Sequence, residues 1–182
     1  GVYADDYTPA LFTTKAHYVP HLRMIIAGTG LGGFADDWWL KINKSMLVQG
    51  MEHLDEYTTS ALRKLWEANS AHALCEDVTT TVYHIGYSEQ SGEVTTFAYR
   101  SSSNFASERL QHGFAVKPEC VVPAGDDILA LIEPTMEEQR RTQAKVAPEK
   151  RIHIGGEAFA MHLTDQGCNT FRLFRFPDYE AQ

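Results

Sequence analysis

The segment 22–33 contains the residues of this chain that are best suited to chemistry. An apolar run, Leu22-Arg-Met-Ile-Ile-Ala27, leads into the glycine-rich turn Gly28-Thr-Gly-Leu-Gly-Gly33, and a helical pattern follows. The first backbone N–H groups of a helix have no partner inside it, so such a turn can bind an anion or stabilise an oxyanion. Two functional interpretations follow, a nucleotide-phosphate site and an oxyanion site. A third is structural: the glycines permit close packing of strand and helix.

The dinucleotide interpretation rests on Gly28-x-Gly30-x-x-Gly33, which matches the dinucleotide-binding fingerprint. That fingerprint functions inside a strand–helix–strand crossover, with an acid after the next strand to hold the ribose. Here a second helix is predicted after the first, and Glu52 and Asp55 fall in the connection between the two helices. The remaining strands are predicted to form hairpins rather than a parallel sheet. The order of elements therefore disfavours a dinucleotide site.

Hydrophobic periodicity predicts an α+β fold class built on antiparallel strand pairs. The expected order is strands, two helices, strands, a helix and strands, with Asp55 capping the second helix and Pro134 interrupting the third. The predicted strands are 1–4, 11–19, 22–27, 80–87, 94–99, 114–122, 158–163 and 169–176, and the predicted helices are 34–50, 54–74 and 126–146.

Composition limits the classes of function. The 182 residues are predicted to form one domain, 1–182, and a formal net charge of −8 argues against a nucleic-acid partner. The apolar runs are shorter than the roughly 18 residues that a membrane span needs, so no membrane partner is expected. The odd number of cysteines (Cys75, Cys120, Cys168) and the absence of a metal-type cysteine pair favour a reducing compartment, the cytoplasm. Neither a metal nor a cofactor is predicted.

Histidines and serines elsewhere have structural interpretations. His17 and His21 are four residues apart, but Pro20 separates them on a strand and a turn, where that spacing does not bring metal ligands together. His84 lies within a predicted strand, where a histidine with satisfied hydrogen bonds in the core is the expected case. Ser101-Ser-Ser103 is predicted to be a polar turn, because no nucleophile-elbow glycines surround it.

Three blocks of sequence carry a family pattern. They are Gly1-Val-Tyr-Ala-Asp-Asp6, then Lys15-Ala-His-Tyr-Val-Pro20 with Met24-Ile-Ile-Ala-Gly-Thr-Gly30, and finally Gly155-Gly-Glu-Ala-Phe-Ala-Met-His-Leu-Thr-Asp-Gln-Gly167. Together with the hairpin from Thr80 to Tyr99, they resemble the proteasome β-subunit family of the N-terminal-nucleophile (Ntn) hydrolases. The resemblance implies a four-layer α/β/β/α sandwich, in which helix layers enclose two antiparallel sheets.

The resemblance also implies a catalytic site. In that family an N-terminal threonine supplies a hydroxyl and an amine, a lysine and its aspartate tune the nucleophile, and a backbone N–H stabilises the oxyanion. By position, Lys15 takes the role of the lysine, Asp5 or Asp6 that of its acid, and Gly28 that of the oxyanion donor. The alternative is that Lys15 lies on an exposed edge while Asp5 and Asp6 cap a loop.

The chain also departs from the family pattern. Position 1 is glycine, so the strand with the nucleophile is expected upstream of Gly1. Arg151 and Ile154 stand where the family has a supporting aspartate and serine. Two functions are therefore expected: an amide hydrolase acting on a peptide or small amide, or a non-catalytic subunit. In both cases the partner is the chain itself, in a homo-oligomeric ring or cage.

Overall fold

The computed structural model describes residues 2–3, 9–11, 14–70, 79–177 and 179. These residues have a mixed α+β architecture, as the periodicity predicts. In chain order the elements are β1 (Val2–Tyr3), β2 (Pro9–Leu11), β3 (Ala16–Val19), β4 (Met24–Thr29), α1 (Phe34–Ser45), α2 (Met51–Ser70), β5 (Thr81–Tyr87), β6 (Val94–Arg100), β7 (Ser107–Leu110), α3 (Ile128–Gln143), β8 (Glu157–Thr164) and β9 (Gly167–Arg175).

The chain divides into two compact units. The first, called here the sheet unit, comprises 14–112 and 161–169, and the second, the α3 unit, comprises 1–13, 113–160 and 170–182. The sheet unit contains a five-stranded sheet in the order β3-β4-β5-β6-β7, and every neighbouring pair is antiparallel. The α3 unit contains α3 and the antiparallel pair β1–β2. The tip of the β8–β9 pair falls in the sheet unit and its base in the α3 unit.

Helices α1 and α2 cover one face of the sheet. On α1, Phe34, Trp38 and Ile42 are four residues apart and buried, as expected of an amphipathic helix on a sheet. The strands meet these helices through small or flat side chains, so the two layers approach closely. The pairs that approach each other are Gly28 with Ala35, His84 with Trp38, and Gly86 with Met51.

The face of the sheet that points away from these helices is mixed, with apolar residues at its centre and polar residues such as Thr29, Thr81 and Arg100 toward one end. Side chains alternate between faces along a strand, and the register places Ile25 opposite Ile85 and Tyr83 opposite Ala98 on this second face. Ile25 is 6% exposed and Ala98 is fully buried. A fully solvated face would carry polar residues at these central positions, so the centre of this second face is also a packing surface.

Several predicted boundaries are wrong. Helix α1 ends at Ser45 rather than residue 50, and α2 begins at Met51, so Asp55 lies inside α2 instead of capping it. The Asp55 carboxylate instead accepts a hydrogen bond from the hydroxyl of Tyr99 at 2.6 Å. The predicted end of the second helix, residues 71–74, lies outside the described residues.

Helix α3 also differs from the prediction, because it continues through Pro134 without a break. Proline removes one helical N–H, but Pro134 is exposed, so water can satisfy the carbonyl that loses its partner. The strand predicted over 114–122 is not formed. The edge strand is β7, whose exposed polar residues Ser107-Glu-Arg109 carry no hydrophobic signal.

Candidate functional site

Lys15 and Gly28 are direct neighbours on adjacent antiparallel strands. Lys15 immediately precedes β3, and its carbonyl oxygen accepts a hydrogen bond from the N–H of Gly28 at 2.9 Å. Lys15 is exposed. The Gly28 N–H is thus engaged in strand pairing, and an oxyanion could use it only by displacing the Lys15 carbonyl. The two predicted site residues are brought together, but not as an open oxyanion hole.

The glycines of the turn have packing roles. A Cβ atom on Gly28 would lie 2.4 Å from the Cβ of Ala35, a distance that real Cβ atoms do not show. Gly30 has a φ of +94°, and a Cβ there would lie 1.8 Å from the carbonyl oxygen of Thr79. Gly32, in contrast, has no heavy atom near its Cβ position. These contacts support the structural interpretation of the glycine pattern, in which it permits close strand–helix approach and a tight turn.

The other residues implied by the resemblance are placed only in part. Asp5 and Asp6 lie outside the described residues, so their pairing with Lys15 stays a prediction. Arg151 follows the short 3₁₀ turn 148–150, and its guanidinium donates to the carbonyl oxygens of Ala144 and Val146. It therefore holds the chain just beyond α3. Ile154 is half-buried.

His17, Asp36 and Trp39 form a cluster between β3 and α1. The Nε2 atom of His17 lies 2.5 Å from Oδ1 of Asp36, in the first turn of α1. The imidazole stacks on the indole of Trp39, with ring centroids 5.1 Å apart, and the indole N–H donates to the carbonyl oxygen of Tyr18. Sequence spacing does not indicate this cluster, because its partners are 19 residues apart and meet only when α1 packs beside β3.

His84 lies in the core of the sheet unit. Its Nε2 accepts a hydrogen bond from the indole N–H of Trp38 at 2.8 Å, and its ring also contacts that of Tyr99, with centroids 4.9 Å apart. Burial lowers the pKa of His84 to about 3. The imidazole is therefore neutral, with its proton on Nδ1, and Nδ1 is buried without a hydrogen-bond partner among the described residues. The prediction of a core histidine is confirmed, although only one of its nitrogens is satisfied.

The buried imidazole predicts a pH-dependent stability. Its folded pKa of about 3 lies below the ordinary histidine value of 6.5, so the unfolded chain binds the extra proton between these pH values. Stability from the neutral imidazole is complete above pH 6.5 and falls as the pH drops, by about 1.4 kcal/mol per pH unit from this group. Urea unfolding at several pH values between about 4.5 and 7.5 measures this slope.

The matched variant is His84→Gln, whose amide oxygen can still accept from Trp38 but does not titrate. We expect the wild type to lose about 2–3 kcal/mol more than this variant between pH 7 and 4.5. His162→Gln, in the exposed part of β8, should retain the wild-type slope. Parallel pH dependence of the wild type and His84→Gln would contradict the burial of a neutral imidazole.

The N-terminus of α2 is capped by a distant residue, Glu89. Its two carboxylate oxygens accept from the backbone N–H groups of Glu52 and His53, at 3.3 and 3.1 Å. Partial burial opposes ionisation of Glu89, but the hydrogen bonds from backbone N–H groups outweigh it and hold its pKa below its ordinary value. These hydrogen bonds connect the β5–β6 turn to the N-terminus of α2. Because the cap comes from a residue far away in the sequence, local sequence does not predict where this helix starts.

Glu89→Ala should destabilise the fold by about 1 kcal/mol at pH 7, the usual effect of losing a helix cap. Because the folded pKa lies below the ordinary value of 4.5, the stabilisation is present above that pH and is lost as the pH falls through the folded pKa. Glu93→Ala, an exposed carboxylate in the same turn, is the control and should change stability little. Equal urea midpoints for Glu89→Ala and the control at pH 7 would refute the capping role.

Metal and membrane features are absent from the described ranges. Within 14–70 and 79–177, no three histidine, cysteine or acidic residues are placed to hold a metal ion. No helix in the described part of the chain is long and apolar enough to cross a bilayer. Comparison of the chain with models of known protein families and with curated proteins gives no match.

Proposed function

We propose that this protein is an amide hydrolase of the proteasome-like Ntn type, acting on a peptide or small amide. The observation that carries the proposal is the exposed Lys15 side chain, just before β3 and next to the end of β4. This position puts an exposed cation beside the strand that enters the glycine turn and α1. An ammonium at such a position can stabilise a developing oxyanion or an ionised nucleophile.

The architecture of the sheet unit supports the same proposal. Its antiparallel sheet carries two helices on one face and a buried apolar centre on the second face. A four-layer sandwich needs such a second face, because another sheet must pack against it. In the proposed enzyme the nucleophile is supplied by a strand upstream of Gly1.

Each predicted residue has a stated role in the proposed reaction. The hydroxyl or thiol upstream of Gly1 attacks the amide carbonyl, Lys15 stabilises the negative charge, and Asp5 or Asp6 orients Lys15. Gly28 donates to the oxyanion only if its N–H exchanges the Lys15 carbonyl for the substrate oxygen. No cofactor takes part. The net charge of −8 and the cysteine pattern support a partner other than nucleic acid and a reducing compartment, the cytoplasm.

A second candidate is a non-catalytic subunit of a homo-oligomeric ring or cage. The observation that favours it is the same hydrogen bond from Gly28 to Lys15, because an N–H held in strand pairing serves the sheet rather than a substrate. This candidate predicts a stable assembly by light scattering and no amide hydrolysis. The hydrolase proposal predicts hydrolysis with or without assembly.

Lys15→Met tests the proposed site, because it removes the charge and keeps the length of the side chain. With the native protein and peptidyl aminomethylcoumarin amides as substrates, we expect kcat/KM to fall by about 100-fold or more, the usual effect of losing one charge-stabilising group. Lys44→Met, on the exposed part of α1, is the control and should retain wild-type kinetics. Equal rates for both variants would exclude Lys15 from the site.

A further inference from the structure

We infer that β7 is a releasable cover on the edge of β6, and that the turn before it, residues 101–106, is a strained latch that α2 holds closed. The inference does not depend on the proposed hydrolysis, because it concerns one edge of the five-stranded sheet. Among the described strands, β7 pairs with β6 alone. Its release opens that edge and leaves the pairing of β3, β4, β5 and β6 intact.

The latch contains two consecutive residues with a left-handed backbone. Asn104 has a φ of +53° and Phe105 has a φ of +55°. Asparagine is tolerated in this region, but a bulky aromatic residue is a genuine outlier there. A strained backbone of this kind persists only where the surrounding structure holds it. Contacts made by the turn must therefore keep it in this conformation.

Helix α2 supplies two of these contacts through hydrogen bonds to the backbone of the latch. The guanidinium Nε of Arg63 donates to the carbonyl oxygen of Asn104, and the hydroxyl of Thr59 donates to the carbonyl oxygen of Phe105. Both hydrogen bonds are 2.8 Å long. Because both acceptors are carbonyls of the strained residues, the bonds act on the backbone itself.

The side chain of Phe105 anchors the latch in the core. It is 1% exposed and lies against Phe34 of α1 and Trp66 of α2, with ring centroids 5.7 and 5.9 Å apart. Burial of this aromatic ring offsets the strain of the backbone that carries it. The helices thus stabilise the closed turn, and weaker contacts with them favour release of the turn and of the strand that follows.

Strand β7 is itself weakly held. Its first three residues, Ser107-Glu-Arg109, are exposed, and β6 is its single described neighbour in the sheet. Few buried apolar contacts and exposed backbone hydrogen bonds are typical of segments that open locally. The charged side chains of β7 also discourage the addition of a further strand, whereas β6 is a seven-residue run rich in β-branched and aromatic residues. The latch therefore determines which edge the sheet presents.

Native-state hydrogen exchange of the full chain, read by mass spectrometry at low urea concentrations, tests the inference. The amides of 107–110 should exchange at least about 10-fold faster than those of β4, with little dependence on urea, because a local opening exposes little surface. Exchange of β4 should rise steeply with urea, because it requires the sheet to unfold. If 107–110 match β4 in rate and in urea dependence, β7 does not open separately and the inference is wrong.

Thr59→Val tests the contact from α2, because valine keeps the branched shape and loses the hydroxyl. Exchange of 107–110 should become about 2- to 10-fold faster, the usual effect of losing one hydrogen bond. Ser60→Ala removes a neighbouring, exposed hydroxyl that bonds within α2, and it should leave the exchange of 107–110 unchanged. Equal exchange of 107–110 in the two variants would overturn the role of α2 in the latch.

Two substitutions at Asn104 test the strain independently. Alanine disfavours a left-handed backbone, so Asn104→Ala should speed the exchange of 107–110 by about 3-fold or more. Glycine adopts that backbone freely, so Asn104→Gly should not speed it. An Asn104→Ala variant that exchanges as slowly as Asn104→Gly would show that the turn is not strained and would overturn the inference.

Discussion

Trp38→Ala is expected to lower the free energy of unfolding by about 3–5 kcal/mol, the usual effect of truncating a buried aromatic side chain. Trp38 is fully buried at the interface of α1 with the sheet. Its loss opens a cavity and also removes the hydrogen-bond donor to Nε2 of His84. Both nitrogens of the buried imidazole would then lack a hydrogen-bond partner among the described residues. That loss adds a desolvation cost of about 1–3 kcal/mol if water does not enter.

Trp38→Phe separates the two contributions. Phenylalanine fills most of the volume but cannot donate to His84, so its cost reports mainly the lost hydrogen bond. Leu40→Ala is the matched control on the same helix, because Leu40 is 40% exposed and should cost little. Urea unfolding at pH 7 measures all three variants. A loss below about 1 kcal/mol for Trp38→Ala would contradict the placement of this side chain in the core.

Gly30→Ala is expected to be as damaging, at about 3–5 kcal/mol, because it combines backbone strain with a steric clash. The φ of +94° is one that L-residues rarely adopt, and the new Cβ would lie 1.8 Å from a backbone carbonyl oxygen that no rotamer change can move. Gly28→Ala should cost about 1–3 kcal/mol, because its clash is with the Cβ of Ala35 and the φ is unstrained.

Gly32→Ala is the control within the same turn. Nothing lies within 4 Å of its Cβ position, so we expect a change within about 0.5 kcal/mol. The series tests whether the glycine pattern is used for packing. Equal stability for all three variants would show that Gly28 and Gly30 are not closely packed. The phosphate-binding interpretation of the glycines would then be favoured again. A calorimetric titration with a dinucleotide would then decide that interpretation.

Much of the sheet unit could be predicted from local patterns. The four-residue spacing of Phe34, Trp38 and Ile42 correctly indicated α1. The two β-branched runs on either side of the turn 88–92 indicated the β5–β6 hairpin. The start of α2 could not be predicted, because its cap comes from Glu89 on a distant turn. Strand β7 was missed for a related reason: it is a polar edge strand with no alternation to detect.

The candidate site was predictable to a different extent. Lys15 and Gly28 lie on strands joined by a short turn, so their proximity could be expected from sequence. The direction of the Gly28 N–H could not be predicted from sequence, because it depends on the register between β3 and β4. The contact of His17 with Asp36 requires α1 to pack beside β3, and neither residue type nor spacing signals it.

The central proposition is that a nucleophile at the mature N-terminus works beside Lys15 to cleave amide bonds. Reaction of the native protein with an electrophilic, hydroxyl- and thiol-directed inhibitor, followed by intact mass measurement and N-terminal sequencing, tests it most directly. The account predicts a single adduct on an N-terminal threonine, serine or cysteine, and slower labelling in Lys15→Met. A native N-terminus at Gly1 with no adduct would contradict it and leave the non-catalytic subunit as the better description.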